Sequence, residues 1–258
     1  MSTNDDKKVK QLLDDAHAQG TLSKQALTTL DVVDVGAQIQ AGLGVTIDDV
    51  AASEVVLVTM MPDDSQSIAH ANNVDAVRDG HNFVLESLRG SKQAGEVLAH
   101  TRYLNGWVLT PYTALEHAAK MDRANYDPRG FTPLYDQAAV VLGTVIAKSQ
   151  ELAQAGIAVR TVTLIITDGA DYGSTRCRPA DIAALVGDLL AQENHIVAAM
   201  GISDGHTDFR TVFRGMGIPD KWILTPGNSG TEIRRAFAVF SQSAVRASQG
   251  AQLGGFSN

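Results

Sequence analysis

The sequence predicts an α/β fold: a doubly wound, mostly parallel central sheet with one antiparallel edge hairpin, helices on both faces and an N-terminal helical segment. Three observations carry this. From Glu54 onward, short β-branched runs alternate with long amphipathic stretches, the rhythm of strand-helix-strand units. The run Val55-Val56-Leu57-Val58-Thr59-Met60 is continuous and apolar but for Thr59, as a strand buried on both faces must be, and Val159 to Ile166 reads as a second buried strand. Asn105-Gly106, between two strand-like segments, is the strongest short hairpin signal and introduces the antiparallel pair.

Length and composition bound the reading. A chain of 258 residues supports one large domain, or a domain with an appendage. With 44% apolar and 19% charged residues it has the composition of a packed fold. Lys+Arg 21 against Asp+Glu 29 gives 21 − 29 = −8, so a general electrostatic pull toward nucleic acid or anionic lipid is absent. The single cysteine, Cys177, forms no internal disulfide, and Met1 to Lys10 is polar without an apolar signal core. No apolar run approaches the roughly 18 residues of a membrane span. These features predict a cytoplasmic chain with neither nucleic acid nor membrane as partner, and leave its oligomeric state open.

Residues 1–52 read as the helical segment, 53–245 as the α/β domain and 246–258 as a flexible Gly-rich tail. Leu12, Leu13 and Ala16 give a first amphipathic helix before Gly20. Ser23 can cap a second helix carrying Ala26, Leu27, Leu30 and Val33, closed by Gly42-Leu43-Gly44. After the first strand, Val74, Val77, His81, Val84 and Leu88 trace a helix that stops at Gly90. The hairpin follows, from Val97 to Thr110. Thr132 then suits an N-cap and Pro133 the first helical position, with Leu134, Ala138, Val141, Val145 and Leu152 as the buried stripe. Beyond the second buried strand come a helix with Ile182, Leu185 and Leu189, a strand over 195–200 and a helix with Phe209, Val212, Phe213 and Met216. A short strand Trp222-Ile223-Leu224 and a last helix with Ile233, Phe237 and Phe240 complete the series.

Chemistry concentrates where strands end and helices begin, the edge at which open α/β sheets bind ligands. The first strand runs into Asp63-Asp64-Ser65-Gln66-Ser67, an Asp-x-Ser-x-Ser pattern; Thr132 heads a helix; the second buried strand runs into Thr167-Asp168-Gly169. Asp63, Asp168, Ser65, Ser67 and Thr132 are all oxygen donors, with no Cys or His among them. That set suits a hard cation, and Mg2+ above all, since magnesium takes about six oxygens and keeps some of its waters. Neutral hydroxyls leave the ion's charge incompletely cancelled. A cation so held can accept one further oxygen from outside, ideally a partner protein's carboxylate.

This layout resembles the von Willebrand factor type A (vWA) family with its metal-ion-dependent adhesion site (MIDAS). The likeness covers roughly residues 53–245 and includes order: a buried strand into Asp-x-Ser-x-Ser, an edge hairpin, a Gly130-Phe131-Thr132-Pro133-Leu134-Tyr135-Asp136 helix start, and a strand into Thr-Asp-Gly. The resemblance implies a Rossmann-like sheet and a non-enzymatic module that recruits a protein through bound Mg2+, with Mn2+ or Ca2+ as alternatives. It implies that Ser65 and Ser67 ligate directly, Thr132 directly or through water, and Asp63 and Asp168 mostly through water. The chain departs from the pattern in one respect. Met61-Pro62 separates the apolar strand from Asp63, so Asp64 competes for the role.

Each fragment alone has a plainer reading, because Ser, Thr and Asp are common capping and turn residues. Their conjunction in order is what is specific. His70, His81, His100, His117, His195 and His206 show no metal or triad spacing, and most of them read as surface or partly buried side chains. Cys177 reads as a structural cysteine, with the alternative that its pKa is lowered if Arg176 and Arg178 approach it. Pro226 to Thr231 reads as a loop with a Ser or Thr cap. Two other functions stay open: an Mg2+-dependent phosphate-ester hydrolase, with Asp64 as formal candidate base, and a structural or assembly subunit with a vestigial metal site.

Overall fold

The structure, a computed structural model, describes residues 4–32, 34–250 and 254–256. Strands β1 (Glu54–Met61), β2 (Val97–Arg102), β3 (Val108–Ala114), β4 (Ala158–Thr167), β5 (His195–Gly201) and β6 (Ile223–Leu224) form one sheet in the order β3-β2-β1-β4-β5-β6. Every neighbouring pair is parallel except β2 with β3, the expected edge hairpin. The strand order reverses between β1 and β4, because the chain builds outward from β1 on one side and returns to pair β4 on the other. Their carboxyl ends therefore flank the topological switch point of the sheet.

The helices are α1 (Asn4–Ala18), α2 (Lys24–Leu30), α3 (Val35–Leu43), α4 (Gln66–His70), α5 (Val74–Arg89), α6 (Leu134–Gln154), α7 (Pro179–Leu190), α8 (Phe209–Gly215) and α9 (Gly230–Ser248). Both α6 and α9 lie against β1 and β4, α9 paired with α5 and α6 with α7. The central strand β1 is buried from Val55 to Met61, which is why it is apolar on both faces. Phe237 of α9 packs so closely on Gly80 of α5 that a Cβ there would lie 2.1 Å from its ring.

The structure corrects two local readings and describes part of the expected tail. The helix expected from Ser23 to Gly44 is two helices, because α2 stops at Leu30 and Asp34 takes a left-handed φ of 71° before α3. The break turns Ile39 and Leu43 inward to the core. Val33, assigned to that helix, lies outside the described residues. Trp222 sits in a 3-10 turn, and only Ile223 and Leu224 pair as a strand. Of the tail read as flexible, 251–253 and 257–258 lie outside the described residues. α9 runs on to Ser248, and Phe256 sets its ring edge-on to Trp222 at 5.2 Å.

The N-terminal helices are built into the core. α1 and α3 pack on α6, and α2 on α7. Leu12, Leu13, Leu22, Leu30, Ile39 and Leu43 are all buried. α6 is thus covered by the sheet on one side and by these helices on the other, which explains why so little of its circumference is polar. At Gly143 a Cβ would meet Ile39 Cδ1 and Leu30 Cδ2, both at 2.8 Å, so the helices touch through a residue without a side chain. Gly44 closes α3 at φ 64°, with Tyr112 O only 1.9 Å from where a Cβ would stand. Buried Lys148 of α6 donates to Val45 O (2.5 Å) and Glu151 (2.7 Å), and Lys8 of α1 reaches Glu151 at 2.5 Å.

Of the histidines, most of which read from the sequence as surface or partly buried, His81, His100 and His195 are buried. Burial holds their pKa values down, to about 4, about 3 and about 4 respectively. A base whose folded pKa is depressed stabilises the fold fully above its unfolded pKa, and that stability is lost as the pH falls toward the folded value. For His81 the window is 6.5 down to about 4. Each such group costs ~1.4 kcal/mol per pH unit inside its window. His81 bonds Thr101 Oγ1 at 2.9 Å, a contact that glutamine can replace without titrating. Between pH 6 and 4.5, the urea-derived stability of His81→Gln should therefore fall less steeply than wild type by about that slope. Equal slopes would show that His81 is protonated in the fold.

Candidate functional site

β1 ends at Met61, and Pro62 turns the chain directly into Asp63. The Asp63 carboxylate is fully buried between the ends of β1 and β4. Its Oδ1 accepts the Ser65 N–H at 2.7 Å; its Oδ2 accepts the Thr167 hydroxyl at 2.8 Å and the Asp168 N–H at 3.3 Å. Tyr126 holds the same loop from below, donating its hydroxyl to Asp63 O at 2.5 Å. Asp64 turns the other way. Its Oδ1 accepts the Asn105 N–H of the hairpin loop at 2.9 Å, and its carbonyl accepts the N–H groups of Arg129 and Gly130, both at 3.0 Å. Asp63, then, shares contacts with Ser65, Thr167 and Asp168, while Asp64 ties the hairpin and the loop before α6 to the end of β1.

The hydroxyls converge on the same edge. Ser65 Oγ lies 2.8 Å from Ser67 Oγ, and Ser67 donates to Asp168 Oδ1 at 2.5 Å. Ser65 occupies the N-cap position of α4, yet its side chain makes no capping bond. Thr132 departs from expectation in the same way. α6 begins one residue later than predicted, with Pro133 at the cap and no side-chain capping bond. The reason lies in the backbone: Thr132 and Tyr172 form an antiparallel bridge, with N–H to O distances of 3.1 and 2.8 Å, which keeps Thr132 extended ahead of the helix. Thr132 is a buried residue, and its hydroxyl bonds none of the described residues. A second bridge, Ser65 to Gly130, brings the loop carrying Thr132 against the serines.

Electrostatically the site is acidic: Asp63, Asp64 and Asp168 are buried, while Ser67 is exposed. Burial raises the pKa of Asp63, and burial with the neighbouring Asp63 charge raises Asp168 to about 6. Burial raises Asp64 to about 7, with Asp63 adding to it against the Asn105 hydrogen bond. Carboxylates held this way favour a nearby cation. Among the described residues no three His, Cys, Asp or Glu side chains are arranged to hold a metal ion, so any cation here would rest on hydroxyls as well. Two carboxylates and three hydroxyls, one of them without a partner, fit a hard oxygen-seeking ion.

Sequence reading gave Asp136 no role of its own, although it stands in the quoted helix start. Its buried carboxylate accepts the N–H groups of Thr175 (2.9 Å), Arg176 (3.1 Å) and Cys177 (2.8 Å), fixing the loop after β4. An acidic residue in a helix's first turn was the only signal, and it points equally to the helix dipole. At Cys177 burial first, then Asp136 and Asp181, push the thiol up to about 11, outweighing Arg176, so the alternative of a lowered pKa does not hold. The loop from Pro226 to Thr231 is a plain capping loop, in which Ser229 Oγ accepts the Glu232 N–H at 3.3 Å.

No protein-family model matches the sequence. No curated protein matches it either. Solved structures do. Proximal thread matrix protein 1 from the mussel byssus, in a form with a zinc-occupied MIDAS motif, is 14% identical with a TM-score of 0.52, over 74% of this chain and 46% of that one. The pilus adhesin SpaC from Lactobacillus rhamnosus GG is 15% identical with a TM-score of 0.52, over 75% of this chain and 30% of its own. Manganese-loaded TRAP protein of Plasmodium vivax is 17% identical with a TM-score of 0.50, over 76% of this chain and 75% of its own. The chain thus spans less than half the length of the mussel and Lactobacillus proteins. At such identities the likeness is one of fold, and the sheet order, the edge hairpin and these neighbours agree: the chain has the fold of von Willebrand factor type A domains.

Proposed function

We propose that the chain is a non-enzymatic, intracellular protein-binding module that holds Mg2+, or alternatively Mn2+ or Ca2+, through Ser65, Ser67, Thr132, Asp63 and Asp168, and recruits a partner protein by its carboxylate. One observation carries the reading. Ser65 and Thr132 stand at helix starts, where capping by a hydroxyl contributes ~1 kcal/mol, and neither hydroxyl caps. Ser65 is bonded instead to Ser67, which reaches Asp168, at the switch point of the sheet, and Thr132 stands on the loop that the Ser65–Gly130 bridge brings beside them.

When bound, the ion would supply positive charge and an open position for one outside oxygen. The chain's own residues do the rest. Asp63, its oxygens already occupied by Ser65, Thr167 and Asp168, orients the loop and supplies charge. Ser65 and Ser67 offer neutral oxygens, Asp168 its carboxylate, and Thr132 a hydroxyl with no competing bond. Domains of this fold are mostly non-enzymatic binding modules, and the zinc-occupied and manganese-loaded states of two fold neighbours support a divalent ion. Against a hydrolase stands Asp64, the formal base, which is buried and turned to Asn105. The acidic composition and the lone cysteine support an intracellular setting. No helix among the described residues is long and apolar enough to cross a membrane.

Thr132→Ala tests the assignment. Because the hydroxyl caps nothing, the melting temperature of the metal-free protein should stay within about a degree of wild type. The heat of MgCl2 binding in isothermal titration should fall about tenfold in affinity, the effect of losing one ligand oxygen. A loss of stability with unchanged Mg2+ binding would give Thr132 a structural role only.

A further inference from the structure

Three loops meet at the candidate site, and each exposes an aromatic side chain. Phe131, next to Thr132, and Tyr172, its bridge partner's loop, are each 70% exposed, and Trp107 of the hairpin is 51% exposed. The only other large apolar side chains so exposed among the described residues, Val32 and Phe83, lie elsewhere in the fold. Phe131 and Tyr172 pack on each other with ring centroids 5.9 Å apart, so they present one joint apolar face. Trp107 leans on Tyr103 (5.3 Å), which leans on Tyr126 (5.4 Å), whose hydroxyl holds the Asp63 loop. Asp64 ties the hairpin and the Phe131 loop together through Asn105, Arg129 and Gly130. The rim is thus anchored to the same backbone that positions the oxygen cluster.

Side chains of this size left in water cost solubility, and grouped around a cleft they mark a contact surface. Nothing inside the chain requires Phe131 or Tyr172 to be outside. Resting on the metal reading above, we infer that the partner is a protein segment whose Asp or Glu is flanked within two residues by an apolar side chain. Charge complementarity selects this occupant. The cleft's cation would take one carboxylate, while the aromatic faces beside it carry no charge to meet a second acid. Aromatic side chains are also the usual anchors of interfaces, and here Phe131 and Tyr172 already pack on each other.

The test uses a displayed random heptapeptide library panned on the full chain in millimolar MgCl2, followed by fluorescence anisotropy of the best-enriched peptide. The expected result is an acid with an apolar neighbour within two positions and EDTA-sensitive binding. The variants Phe131→Ser/Tyr172→Ser and Trp107→Ser should weaken that binding by about tenfold or more, at unchanged melting temperature and unchanged Mg2+ affinity. Wild-type peptide affinity in both variants, or enriched peptides with an isolated acid, would overturn the rim assignment while leaving the metal reading intact. Binding insensitive to EDTA and to Ser67→Ala would overturn the metal reading instead. Mg2+-dependent self-association in ultracentrifugation, abolished by Phe131→Ser/Tyr172→Ser, would make the occupant a second copy of this chain and overturn the peptide partner.

Discussion

A chain beginning at Thr46, without α1 to α3, is expected to lose cooperative folding altogether. The removed helices bury Val9, Leu12, Leu13, Leu22, Leu30, Ile39 and Leu43. Each large apolar side chain contributes ~1.5–3 kcal/mol by burial, so the set is comparable to or larger than the roughly 5–15 kcal/mol by which whole domains are stable. The loss has a second side. α6 would expose the face around Gly143 that meets Ile39 and Leu30, and Lys148 and Glu151 would lose Lys8. The single substitution Ile39→Asp makes the same point without truncation, because it places a carboxylate where no partner waits. Circular dichroism and thermal scans would read the outcome. A truncated chain with a sharp transition near the wild-type temperature would show that the α/β domain folds without this segment.

The second large effect concerns the carboxylates. Millimolar MgCl2 is expected to stabilise the wild type by on the order of 1 kcal/mol for a site of ~0.1 mM affinity, by the linkage of binding to the native state. In a chain of 258 residues that is a rise of about 2–4 °C in melting temperature. Asp63→Ala should remove the increment entirely and weaken Mg2+ binding about 100-fold or more, since it also frees the Ser65 N–H, the Thr167 hydroxyl and the Asp168 N–H. Asp168→Asn should behave differently. It removes one charge from beside Asp63, so metal-free stability rises by ~1 kcal/mol while the Mg2+ increment shrinks. Differential scanning calorimetry with and without MgCl2, at matched ionic strength, separates the two. An Asp168→Asn protein that kept the full increment would place Asp168 outside the site, and an Asp63→Ala protein that kept it would do the same for Asp63.

Much of the architecture was determined by the chain locally. The continuous apolar run from Val55 to Met60 reads as a central strand, because a strand buried on both faces has no polar side to alternate. Asn105-Gly106 set the hairpin, and the order of the Asp-x-Ser-x-Ser, Thr132 and Asp168 segments placed each at a strand end or a helix start. Such features are legible because backbone preference and periodicity act over a few residues. Other features depend on segments far apart in sequence. That Thr132 does not cap α6 was decided by Tyr172, forty residues on, whose backbone holds it extended. That Asp63 and not Asp64 faces the serines follows from Thr167 on β4 and Asn105 in the hairpin. The break between α2 and α3, the burial of three histidines, the raised thiol of Cys177 and the use of Asp136 as a loop anchor were likewise settled by tertiary packing. In each case the sequence supplied a group that could cap, titrate or bond in several ways, and only the fold chose its partner, because burial and hydrogen-bond competition are properties of the assembled core.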